Sequence, residues 1–244
     1  MEPAKRSNRD ILREKSEAWI EAVIRTDEFR KFKRDSIAWA IYSDDPEHVR
    51  PEELQVFEFP PDITLQHNLI MAYLSLLSNL EGLRQMEYYF RRYPFSGTPI
   101  ARTDHIRNMC EMYFNHFYMF RERLKVVLNS LNEVFDPRKV DVGGFIKSYD
   151  KEFDQELRER HGVHHRSSFE DLAIDRIHLT EVLAMGSDSA RKRWHKEHLS
   201  AYRKMSREWA ERARKRSAAV DRFAEAVAGA ILACDFLDPP AQAS

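Results

Sequence analysis

TDHIRNMCEMYFNHFYMFRERLKVVLNSLNEVFDP, residues 103 to 137, sets Ile106, Cys110, Tyr113, Phe117, Phe120, Leu124, Val127, Leu131 and Val134 at alternating steps of four and three. A half-buried strand would alternate with period two; steps of three and four bring every one of these residues to one side of an α-helix. Thr103 or Asp104 can cap the start, and Asp136-Pro137 ends the run. So long an apolar stripe must be covered, and the neighbouring segments are read for elements that cover it.

Upstream, Asp62 or Thr64 can cap a helix through LQHNLIMAYLSLLSNLEGLRQMEYYFRRY, residues 65 to 93, stopped by Pro94. Before it, Asp10 to Tyr42 shows helical spacing of Ile11, Trp19, Ile20, Val23, Ile24, Phe29, Phe32 and Ile37, as two helices or one broken one. The stretch between, residues 42 to 64, holds four prolines and many acids, and is the best internal boundary.

Downstream, a helix is expected from about Arg138 to Arg160, weakened by Gly143-Gly144 and ended by Gly162; it carries Val140, Phe145, Tyr149, Phe153 and Leu157 toward the core. Ser168 and Asp171 form a capping box for the next helix. The last segment, Asp188 to about Leu237, aligns Trp194, Tyr202, Met205, Trp209, Val220, Phe223, Val227 and Ile231. No alternating run occurs, so the fold class is all-α, a bundle of five to seven helices. The expected division is 1–61, an N-terminal helical extension packed on the bundle; 62–237, the bundle; and 238–244, a disordered tail.

Composition agrees. The 244 residues are 43% hydrophobic and 32% charged, with seven glycines, which favours long solvated helices. A net charge of -1 argues against coating nucleic acid or membrane through the overall field, and leaves a local patch possible. No signal peptide and no membrane-length apolar run is present, and Cys110 and Cys234 sit in apolar helical patterns as buried free thiols. A soluble, cytoplasmic protein with no membrane partner is expected.

Chemistry concentrates in RERHGVHHR, residues 158 to 166. His161, His164 and His165 invite a metal, with His195 and His198 further on, but their spacings of three and one match no helical zinc motif and no cysteine is near, so no metal and no cofactor is expected. Nucleophile elbows and phosphate-cradling glycine loops are absent from the sequence. What remains is arginine beside histidine: a planar cation suited to phosphate, and a group that moves protons near neutral pH. Together they can cut RNA without metal, because the 2′-hydroxyl is the nucleophile.

An arginine, four to six residues and a histidine after a long helix of an all-α bundle resembles the HEPN superfamily. LRERHGVHHRSSF carries the resemblance, which covers about residues 62 to 236. It implies a helical bundle that dimerises so that two motifs meet in a cleft, and a metal-independent endoribonuclease of toxin or defence type. Carried over, Arg158 with His164 is the first pair and Arg160 with His165 the second, with Glu159 as a polar companion. Gly162 inside the motif departs from a continuous helix and leaves the pairing open. On the preceding helix Glu111, Asn115, Tyr118, Arg121 and Glu122 flank the stripe, and Glu111, next to Cys110, is the candidate for partial burial.

Residues 191 to 216 hold eleven Lys or Arg against three Glu. Arg191, Lys192, Arg193 and Lys196 are the candidate nucleic-acid contacts, whereas Trp194, Tyr202 and Trp209, at core spacing, are core residues first. Two functions are therefore expected to compete: a homodimeric HEPN-like ribonuclease, and a non-catalytic bundle that binds RNA, a nucleotide or a protein partner.

Overall fold

The stripe that opens at Ile106 is buried as far as Leu131: Ile106, Cys110, Tyr113, Phe117, Phe120, Leu124, Val127 and Leu131 are each 0% exposed, and Val134 at its end is half-buried. The structure, a computed structural model, describes residues 6–42, 57–134, 140–165, 169, 171–186 and 191–237. Among these are eight α-helices and no strand: α1 (Asn8–Trp19), α2 (Asp27–Tyr42), α3 (Pro61–Arg91), α4 (Arg102–Val134), α5 (Val142–Glu152), α6 (Asp154–His165), α7 (Leu172–Met185) and α8 (Arg191–Ile231). The all-α class is as expected. The helix count exceeds five to seven because the helix expected over 138–160 is two, α5 and α6.

The chain forms two compact units. One holds residues 73–127 and 141–223, and the other holds the described residues of 1–72, 128–140 and 224–244.

In the first unit, Trp209 of α8 stacks on Phe90 of α3 with ring centroids 5.5 Å apart and meets Tyr113, Phe114 and Phe169 edge-on. Trp209 and Tyr202 are each 6% exposed, so both are core side chains, as their spacing requires. A second cluster joins Phe117, Phe120, Tyr149, Phe153 and Phe223, and the Tyr149 hydroxyl donates to the Phe117 carbonyl at 2.9 Å. Phe153 is the break between α5 and α6, with φ -114° and ψ 24°. Its buried ring fills this cluster, so the non-helical backbone there is compensated by apolar burial.

Three local expectations are corrected in this unit. The glycine pair lies in the first turn of α5 and does not break it: Asp141 is the N-cap and accepts from the Gly144 N–H at 2.9 Å. A β-carbon on Gly144 would lie 2.4 Å from Asp141 Oδ2, so a larger residue there would make the capping carboxylate shift. Gly162 does not end α6, which continues to His165. The cap of α7 is Asp171, accepting from Ala173 N–H at 2.7 Å, and Ser168 lies outside the described residues.

In the second unit, the segment from Asp10 to Tyr42 is two helices joined by a π-helical turn, Ile20–Ile24. Ser7 caps α1 by accepting from Asp10 N–H at 3.2 Å. Trp19 meets Phe236 edge-on at 5.7 Å, and the Asn8 N–H donates to the Glu225 carboxylate. α3 starts at Pro61, ahead of the caps expected at Asp62 or Thr64; the Thr64 hydroxyl donates instead to the Phe59 carbonyl at 3.2 Å. Residues 43–56 and the tail 238–244 lie outside the described residues.

Candidate functional site

α6 carries Arg158, Glu159, Arg160 and the backbone of His164 and His165 on one continuous helix. Residues six apart on an α-helix are about 9 Å apart along the axis and about 120° apart around it, so Arg158 and His164 stand on different faces. Arg158 is paired with Asp154, one turn back, at 2.6 Å, and its side chain is 75% exposed. Such a pair is screened by water and contributes little stability.

Arg160 is placed differently. Its guanidinium lies over the Tyr118 ring of α4, 3.8 Å from the centroid, and its Nε is buried without a hydrogen-bond partner. Stacking of this kind fixes a guanidinium plane while leaving its outer N–H groups available. Arg160 and His164 are four residues apart and share a face. The side chains of His164 and His165 lie outside the described residues, as does the three-histidine metal site they would complete. Among the described residues no cluster of three or more His, Cys, Asp or Glu has metal-binding geometry.

The residue missed on α6 is Glu156, which is 2% exposed. Its Oε1 accepts from Arg212 Nη2 at 3.2 Å and from Arg216 Nε at 3.1 Å, and its Oε2 accepts from Arg216 Nη2 at 2.9 Å. The Tyr113 hydroxyl stands 3.5 Å from Oε1. Burial, and next the Glu156 carboxylate, push the Tyr113 hydroxyl well above the usual tyrosine value, so it remains a donor. Arg212 packs on the Trp209 ring at 4.8 Å and Arg216 on Phe153 at 4.6 Å. The sequence held a signal: Phe145, Tyr149 and Phe153 lead to the next core position by a step of three as readily as four. The step of three lands on Glu156, and Leu157 is only half-buried.

Glu111 is half-buried, as expected, and accepts from the Phe169 N–H at 3.2 Å. It thereby ties the chain after α6 to α4 and is occupied in doing so. Glu159 is half-buried on α6. Arg121 is held by Asp150 and by Glu122; the hydrogen bond to Asp150 is the main reason its pKa lies above the usual arginine range.

The basic run of α8 divides in two. Toward its C-terminal side the cations are paired: Lys204 with Glu208, Arg214 and Lys215 with Glu211, Arg212 and Arg216 with Glu156. Toward the helix start, among the described residues, Arg191, Lys192, Arg193, Lys196, Arg203 and Arg207 have no carboxylate partner. Glu197, the one acid among them, is taken by Arg176. Lys192, Arg193, Lys196 and Ser200 surround one shallow, solvent-open depression on the surface of α8, and Lys196, Ser200, Arg203 and Arg207 surround another. Lys196, Ser200, Arg203 and Arg207 follow at steps of four, three and four, which is one face of the helix. The first turn of α8 contains no acid, and three cations there oppose the helix macrodipole.

No helix among the described residues is long and apolar enough to cross a membrane. Comparison with protein-family models, with curated proteins and with solved structures finds no match to this chain.

Proposed function

We propose that this protein binds RNA through the basic face of α8. The carrying observation is that, among the described residues, Arg191, Lys192, Arg193, Lys196, Arg203 and Arg207 have no carboxylate partner, whereas Lys204, Arg212, Arg214, Lys215 and Arg216 each have one. On a solvated helix face, opposite charges at i and i+3 or i+4 ease one another. Four of the unpaired cations, Lys192, Lys196, Arg203 and Arg207, share one face of α8, and a row of cations without acids supports a polyanion as its partner. Along that face Lys192 to Lys196 and Arg203 to Arg207 each rise by about 6 Å and Lys196 to Arg203 by about 10 Å, a spacing that can follow a phosphate chain. Tyr202 and Trp209 are buried, so base stacking on them is not part of the interface.

The test is fluorescence anisotropy with a single-stranded RNA at several salt concentrations. Wild-type affinity should fall with salt. The triple variant Lys196→Gln/Arg203→Gln/Arg207→Gln should bind more weakly and lose about 2 from the log–log salt slope, three phosphate contacts at about 0.7 each. The paired Lys215→Gln should bind like wild type. No saturable binding, or an unchanged slope in the triple variant, rejects the proposal.

A second role, metal-independent RNA cleavage by a HEPN-like homodimer, is favoured by the stacking of Arg160 on Tyr118. In it His164 or His165 moves the proton of the 2′-hydroxyl or of the leaving 5′-oxygen, and Arg160 or Arg158 carries the charge that builds on phosphorus. The salt bridge of Arg158 favours Arg160 for that task. α6 and α8 run antiparallel, Glu152 opposite Arg216 and Glu156 opposite Arg212. Carried two turns on, that register sets residue 164 level with about residue 204, beside the unpaired cations. RNA incubated in EDTA should be cut by wild type and not by Arg160→Ala or His164→Ala; equal cutting by all three rejects this role.

A further inference from the structure

Beyond α3 the chain turns through Pro94 and Phe95 and returns along α4, leaving a cleft of about 630 Å³ lined by Tyr88, Tyr89, Arg92, Phe95, His105 and Met112. Sites for small molecules have this size and this make-up, apolar walls with a few placed polar groups. Tyr88, Tyr89 and Met112 are 66%, 47% and 38% exposed, so apolar side chains gathered in one concavity face water there. A flat ligand would remove that area from water, and methionine adapts its shape to such a ligand.

Two polar groups qualify the cleft. His105 is 4% exposed, and its Nε2 donates to the Arg92 carbonyl at 2.9 Å, which satisfies an end carbonyl at the close of α3. The other ring nitrogen, Nδ1, is buried with no hydrogen-bond partner. Tyr93 and Phe95 each meet this imidazole edge-on with centroids 5.6 Å apart, so the wall is held before any ligand arrives. The Arg92 side chain is exposed at the same cleft, and among the described residues it has no carboxylate partner. A guanidinium so placed suits one anionic group.

The geometry points to a binding site for a flat aromatic small molecule with one carboxylate or similar anion, its ring against Tyr89 and Met112 and its charge on Arg92. His105 builds the wall. This site is separate from the α8 face and does not depend on the RNA proposal.

The probe is N-phenylanthranilate, which joins two rings, a carboxylate and an N–H, titrated into the full chain by isothermal calorimetry. Saturable binding is expected. Arg92→Gln should weaken it by about tenfold, the loss of one charge-assisted contact. Tyr89→Ala should weaken it similarly; both side chains are exposed, so neither variant disturbs the fold. Diphenylamine, which lacks the carboxylate, should bind wild type more weakly and be indifferent to Arg92→Gln. The triple α8 variant should bind the probe like wild type, so loss of RNA binding and loss of this site are told apart. No saturable binding to wild type, or equal affinity in wild type, Arg92→Gln and Tyr89→Ala, overturns the site.

Discussion

Arg216 closes on Glu156 through two hydrogen bonds, Nε to Oε1 at 3.1 Å and Nη2 to Oε2 at 2.9 Å, around a carboxylate that is 2% exposed. With Arg212 as third donor, the pair fastens α6 to α8. A buried charge that loses its partners is left desolvated and uncompensated, which costs far more than the intact pair contributes.

Glu156→Gln should therefore destabilise the protein by about 3 kcal/mol, because it strips two partly buried guanidinium groups of their counter-charge. Urea midpoints measure it. Glu152→Gln, whose carboxylate is 40% exposed opposite the same Arg216, should cost under about 1 kcal/mol. Equal losses in the two variants would show that burial of Glu156 is not the cause.

Gly82 sits in α3, where alanine would normally stabilise by about 1 kcal/mol. A β-carbon there would lie 2.6 Å from Cε1 of His116, whose ring is held by Asn79 at 3.3 Å. Gly82→Ala should instead destabilise, by roughly 1 kcal/mol net once an overpacking cost of about 2 is set against the propensity gain. The combination of Gly82→Ala with His116→Ala should then be less costly than the two single losses added. Thermal unfolding of the four proteins completes the cycle.

The same histidine makes stability depend on pH. Burial first, and then the nearby charge of Arg123, lower the His116 pKa, and Asn79 Nδ2 donates to Nδ1 of the neutral ring. Burial, followed by Lys33, lowers His67 likewise. Unfolded histidines bind protons at about 6.5 while these folded ones do not, so the unfolded state holds more protons just below that pH. Stability should be level above about pH 7 and fall as pH drops through 6.5 toward the folded values. His116→Gln should flatten that slope; an unchanged slope would remove His116 as its source.

Both thiols should be silent in the folded protein. Burial raises the Cys110 pKa well above its ordinary value, with Asp171 adding to it, and pushes Cys234 up to about 11, with Asp235 adding. Because the thiolate is the reactive form, a disulfide reagent at pH 8 should label neither cysteine before unfolding and both after it. Rapid labelling of the native protein would contradict their burial.

Much of the fold was legible in residues 103 to 137 because helical period is a local property. Steps of three and four mark a face, and every stripe residue from Ile106 to Leu131 is buried on it. Trp209 and Tyr202 were legible as core by the same period, and the cysteines by their apolar neighbours. The sequence also shows that residues 191 to 216 are basic. The pairs of Lys204 with Glu208 and of Arg214 and Lys215 with Glu211 are local, but the pairing of Arg212 and Arg216 with Glu156, and of Glu197 with Arg176, joins residues distant along the chain. Only the tertiary structure brought those groups together, bent the chain at Phe153 so that its ring could enter the aromatic cluster, and closed the cleft of His105 and Tyr89 between two helices. Period is decided within a few turns by backbone geometry; pairing and concavity are decided by contacts that loop closure alone makes possible.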